Sequence, residues 1–283
     1  MSAPATPRPA AGMMPLGGRQ RGFTLVELMI SILIALFLTG GLLTLVQAMK
    51  RTSSVQSGLS QLQDNERMAM TLIADVIQTA GYFPQPTFNT PEAEFPITGP
   101  FTFAGQALVG SGAQGDPAQP GNSITVRYAT GGTTAPPPPP TVGPDNTIDC
   151  TGNTSNGPTL FTNKFSIAVD PNIANTYDLV CELQNSAAGT DTTVYLVGGV
   201  TQLQILYGVQ TNPGVNNGSA DTYLDAATVG SSNYWNKVVS VKITLSFVNP
   251  LYGNLAGQNK NADTLPTIAF TRVIAVMNRT GVT

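Results

Sequence analysis

The chain has 283 residues, a net charge of −3 and only 10% charged side chains, with 29 Gly and 22 Pro. Mild acidity offers no basic stripe for a phosphate backbone, so no nucleic-acid partner is expected. The absence of histidine removes the side chain most often used as general base, nucleophile activator or metal ligand, so neither an enzyme nor a metal or other cofactor is expected.

Residues 1–18 are rich in Pro, Ala and Gly and are expected to be disordered; Met13 and Met14 are alternative starts to Met1. From Phe23 to Val46 the sequence is nearly all apolar, long enough to cross the ~30 Å hydrocarbon core of a bilayer as a helix. The run is too long for a secretory signal, and no small-residue cleavage site follows it. Arg19 and Arg21 precede it while Lys50 and Arg51 follow, so charge alone orients it weakly. Glu27 interrupts the run. A carboxylate there costs roughly 2.5–3.5 kcal/mol on insertion scales, which marks a function and calls for a partner, the bland alternative being a side chain that snorkels to water.

The helical period continues. Val55, Leu59, Leu62, Ala69, Ile73, Val76 and Ala80 recur every three to four residues, with Met70, Leu72 and Ile77 widening the stripe enough to suit packing on a sheet. Gly81 fits the position just past the helix end, and Pro84 blocks resumption. A continuous helix from Phe23 to Ala80 would have roughly 58 residues and be about 87 Å long at 1.5 Å per residue. Gly40-Gly41 is its weak point, either a small-residue packing notch or a place to bend or melt.

Residues 84–122 read as a long loop with one short strand near Phe101–Val109, and Ser123–Ala129 as a strand. Pro136–Pro140 reads as a polyproline II spacer. Short strands follow at Phe165–Val169, Tyr177–Leu183 and Thr192–Val197, then Val200–Gln210 with Leu203, Ile205, Tyr207 and Val209 on one side. Turn residues at Asn212-Pro213-Gly214 and Asn216-Asn217-Gly218 mark a loop. Trp235–Val248 is the clearest strand, with Val239, Val241, Ile243, Leu245 and Phe247 inward and Ser240, Lys242, Thr244 and Ser246 toward water. Thr267–Met277 closes the sheet, and Asn278–Thr283 forms a tail. The expected fold is α+β, an antiparallel sheet with one face covered by the long helix.

Cys150 and Cys181 both fall in the part read as exported, where a lone pair is most simply a disulfide closing a loop of about 30 residues, two buried thiols being the alternative. The loop acids Asp170, Asp178, Asp191, Asp221, Asp225 and Asp263 show no paired-carboxylate spacing and read as turn formers. The glycines between Gly110 and Gly115 precede no helical pattern, so they do not read as a phosphate cradle.

Arg21-Gly22 followed by Phe23-Thr24-Leu25-Val26-Glu27 resembles the class III signal of type IV prepilins and pseudopilins. The resemblance implies that a prepilin peptidase cuts between Gly22 and Phe23 and methylates the new Phe23 amine, and that Glu27 pairs with the N-terminal amine of a neighbouring subunit. Losing residues 1–22, with Arg8, Arg19 and Arg21, would leave ten bases against sixteen acids, a net −6. Leu62–Phe83, ending Ala80-Gly81-Tyr82-Phe83, resembles the PilW minor pilins, as do Trp235–Val248 and Phe270–Arg279. That resemblance implies a pilin fold: a leader over 1–22, a membrane and filament-core helix over 23–49, an amphipathic helix over 50–83 and a β-rich domain over 84–283. It implies a single pass through the inner membrane with the C-terminal part in the periplasm, then residence in the pilus. The implied partners are prepilin peptidase, other minor pilins, the major pilin and the assembly machinery, with a role in initiating the filament. A type II secretion pseudopilin is the alternative.

Overall fold

The structure is a computed structural model that describes residues 22–84, 86–87, 89–112, 122–131, 147–154, 157, 159–170, 177–184, 191–212, 218–250 and 267–279. The alternative starts Met13 and Met14, the remainder of the leader to residue 21, Pro136–Pro140, most of the 212–218 turn, Asp263 and residues 280–283 lie outside them. The chain forms two units, residues 1–53 and 54–283.

Helix α1 spans Leu25–Thr79, 55 residues against the 58 expected, beginning two residues later and ending one earlier. The late start has a cause in the sequence: Thr24 stays outside the helix and accepts a hydrogen bond from the Glu27 N–H on its hydroxyl, 3.3 Å away, the ordinary chemistry of an N-cap. At the other end Gly81 takes φ +75°, the left-handed conformation that ends a helix at little cost only for glycine, and its N–H turns to the Arg127 carbonyl at 3.0 Å. Within the second unit, Leu62, Ala69, Met70, Ile73, Ala74, Val76, Ile77 and Ala80 are buried, the stripe that the spacing marks out. Each large apolar side chain fully removed from water there stabilises by roughly 1.5–3 kcal/mol.

After α1 come the one-turn helix α2 (Pro91–Glu94), capped by Thr90, and β1 (Leu108–Ser111). Then follow β2 (Ser123–Ala129), β3 (Leu160–Val169), β4 (Tyr177–Leu183), β5 (Thr192–Val209) and β6 (Thr222–Leu224). Helix α3 (Ala226–Ser231), a 3-10 turn at Trp235–Lys237, β7 (Val238–Val248) and β8 (Thr267–Ala275) complete the described chain, with a last 3-10 turn at Met277–Arg279. The strands form one antiparallel sheet in the order β1-β2-β3-β4-β5-β7-β8, with β6 also on β5. The sheet curls. Asn122, just before β2, donates its N–H to Leu203 of β5 at 3.0 Å, and Gly110 of β1 leaves the room that the Tyr207 ring of β5 occupies.

Four expectations change. The strand placed near Phe101–Val109 lies later, at Leu108–Ser111, because Phe95 through Gln106 fold as a covering segment instead. The two strands at Thr192–Val197 and Val200–Gln210 are one. Gly198-Gly199 does not end it but coincides with shifts of register as β5 exchanges β4 for β7 as its partner near Val200. Trp235–Lys237 is helical, so its strand begins at Val238, and Ser240 and Ser246 are buried, not solvent-facing, Ser240 beside the Tyr223 hydroxyl. Nor is only one face of the sheet covered: β2 is buried on both.

Cys150 and Cys181 are disulfide-bonded, 6.3 Å apart at Cα and both buried. The bond ties the turn around Asp149, whose carboxylate accepts from Thr151 and Asn153, to β4. Replacing both cysteines by serine is expected to cost about 3–4 kcal/mol, the closure entropy of a loop of this size, read as a lower urea midpoint; an unchanged midpoint would remove the bond's stabilising role.

Burial raises the phenols of Tyr128 and Tyr207 well above their ordinary value near 10. The unfolded chain ionises both as pH passes about 10 while the folded chain keeps both protons, so their stabilisation is complete below pH 10 and is lost as pH rises above it. Burial also pulls Arg127 down to about 10, which opposes one of the two. Stability is expected to fall as pH rises above 10, and a flat stability profile from pH 9 to 11.5 would contradict it.

Candidate functional site

The site is the start of α1. Residues 22 to 54 are exposed throughout, Phe23 at 79% and Phe37 at 81%, and the helix is long and apolar enough to cross a membrane. So large an apolar surface is not left to water; it requires lipid or protein around it. The hydroxyl side chains inside it are internally satisfied. Ser31 donates to the Glu27 carbonyl at 2.7 Å, Thr44 to that of Gly41 at 2.8 Å, and Thr39 to that of Ala35, so none presents a free hydroxyl to an apolar surround. The helix runs unbroken through Gly40-Gly41, and a Cβ added to either glycine would meet nothing within 4 Å.

Gly22 and Phe23 precede the helix in exposed, non-helical backbone, and Glu27 sits in its first turn, one turn beyond Phe23. A carboxylate in the first turn is favoured by the unpaired N–H groups of the helix end, whereas a cation there is disfavoured. Among the described residues Glu27 makes no ion pair. The structure therefore brings Gly22, Phe23 and Glu27 to one exposed helix end, and places Cys150 and Cys181 elsewhere, in the buried core.

Among the described residues no group of three or more His, Cys, Asp or Glu could hold a metal. A cavity of about 770 Å³ lies among Tyr82, Phe83, Pro91, Phe95 and Phe103, with Glu92, Asn236 and Asn278 also lining it. Asp221 and Asp225 do what turn-forming acids do: Asp221 accepts from the N–H groups of Thr211 and Asn212, and Asp225 caps α3.

The sequence reading missed Arg127. Alternation along β2 puts it opposite Ile124, Val126 and Tyr128 and hence toward water, yet it is fully buried. Its guanidinium donates to the carbonyls of Gln106 at 2.5 Å, Pro96 at 2.6 Å and Phe95 at 3.1 Å and lies 3.9 Å over the Phe101 ring. The one signal was the run of aromatics from Phe95 to Phe103, too irregular to place by period.

The family described as Type IV Pilus-assembly protein W matches residues 164–276, from β3 through β8. The prokaryotic N-terminal methylation motif matches residues 17–43, which contain Gly22, Phe23 and Glu27. No protein of curated function matches the chain.

Proposed function

We propose, for a chain that is a PilW-type pilin of the type IV pilus, that it is a minor subunit acting in the initiation and assembly of the filament. Prepilin peptidase cuts between Gly22 and Phe23 and methylates the new Phe23 amine. Residues 23–49 hold the mature chain in the inner membrane, with residues 50–83 and the β-rich domain over 84–283 in the periplasm, until the assembly machinery moves it into the filament. There the span packs among those of other minor pilins and the major pilin. The observation that carries the reading is the exposed apolar helix with an acid in its first turn. Lipid satisfies the helix but leaves Glu27 unpaired, whereas a neighbouring subunit supplies both apolar cover and an amine. The chain is read as an assembly protein and not an enzyme, which the description of its family supports. The match over 164–276 favours the pilus over a type II secretion pseudopilin.

Gly22→Ala is expected to abolish cleavage, because a side chain appears where the peptidase meets a bare backbone. Mass spectrometry of the membrane fraction should then find the chain beginning ahead of Phe23 and absent from sheared pili. A variant that still matures at Phe23 would sink the assignment of the cut.

A further inference from the structure

We propose that the outer edge of β8, which no described strand covers, receives an extended strand from a different pilin subunit, one carrying a carboxylate opposite Arg272; this rests on the reading of the chain as a pilus subunit. The two ends of the sheet are finished differently. β1 is four residues long, with α3 against it. β8 has nine residues and pairs with β7 in unbroken register from Thr267↔Val248 to Ala275↔Ser240, without proline or bulge. Val276 donates to the Val239 carbonyl at 3.0 Å, in the same register. Because N–H and C=O of one strand residue point to the same side and alternate along the chain, residues 268, 270, 272 and 274 bond to β7. The backbone groups of Thr267, Ala269, Thr271, Val273 and Ala275 face outward, and no described residue bonds to them. Proteins normally blunt such a row with proline, bulges or lysines, and where it is left open it is a template for another strand.

Charge selects the partner. Arg272 is the only charged residue of β8; it is exposed, bonds the Met70 carbonyl at 3.3 Å, and forms no ion pair among the described residues. Two copies of β8 paired antiparallel about Thr271 would set each Arg272 opposite Phe270 and diagonal to the other Arg272, a like-charge contact without an acid. A strand from another subunit with Asp or Glu there has no such conflict.

The test is photo-cross-linking in piliated cells, with a photoreactive amino acid at Val273 of the full-length chain. The expected product links Val273 to a strand of a second kind of pilin that contains an acid. Ala269→Pro, which removes one outward N–H, and Arg272→Glu should each lower its yield roughly fivefold, about the effect of one net hydrogen bond. Changing the partner's acid to Arg should restore Arg272→Glu. Cross-linking to a second copy, to residues 251–266 of the same chain, or to nothing overturns the proposal. So does a yield that neither variant alters. Normal maturation at Phe23 and presence in sheared pili, measured in the same cells, show that such a failure belongs to the edge and not to the pilus reading.

Discussion

Glu27→Gln is expected to mature normally yet fall out of pili by about a hundredfold or more. The proposed cut at Gly22-Phe23 lies outside the helix, and a neutral amide in its first turn leaves that backbone as it is. In the membrane the change is if anything favourable, since an amide costs less to bury than a carboxylate. The loss arises only when subunits pack. The Phe23 amine of a neighbour is then enclosed beside a helix end that already disfavours cations, with no anion to offset it. Removing one partner of a buried ion pair costs roughly 3–5 kcal/mol, equivalent to about two to three and a half orders of magnitude in an equilibrium. Immunoblots of membranes and sheared pili measure the two steps separately. Glu27→Ala should behave alike. Wild-type incorporation of either variant would return Glu27 to the status of a snorkelling side chain.

Arg127→Met should destabilise the β domain by about 3–5 kcal/mol without touching the N-terminal segment. Methionine fills part of the volume but donates nothing, so the carbonyls of Phe95, Pro96 and Gln106 are left unpaired under the segment that covers β2. Each buried acceptor so orphaned costs about 1–3 kcal/mol, less whatever water recovers when the segment lifts. Arg127→Lys, with a compact head that cannot span three carbonyls and lie flat on Phe101, should fall between the two. Against a typical domain stability of 5–15 kcal/mol the methionine variant is close to unfolding. Urea titration of the full chain in detergent gives the values. A midpoint equal to wild type would mean that the Phe95–Gln106 segment is held by its aromatic contacts and not by the guanidinium.

These two residues mark the boundary of what could be read in advance. Glu27 is legible because a carboxylate inside an apolar run is costly wherever the chain folds, and because Gly22 and Phe23 stand at fixed distances from it. The stripe from Leu62 to Ala80 and the alternation of β7 from Val241 to Leu245 are legible for a similar reason: a helix or strand with one buried face writes its period directly into the sequence. Arg127 breaks that logic, because its face of β2 is covered by residues some twenty to thirty positions earlier that have no period of their own. β5 fails for a different reason. Gly198-Gly199 carries a turn's local chemistry, but pairing with β4 before it and β7 after it holds the strand through the irregularity.

By itself, then, the sequence determined the membrane-length helix, its awkward acid and the one-sided packing of residues 62–80, since each follows from local periodicity or from the cost of placing one residue type in one solvent. Only the tertiary structure decided that β2 is covered twice, that Arg127 holds the cover down, that β5 is one strand, and that β8 ends the sheet with no described strand beyond it. Those features depend on which distant segment reaches a given backbone group first, and no property of the residues themselves records that.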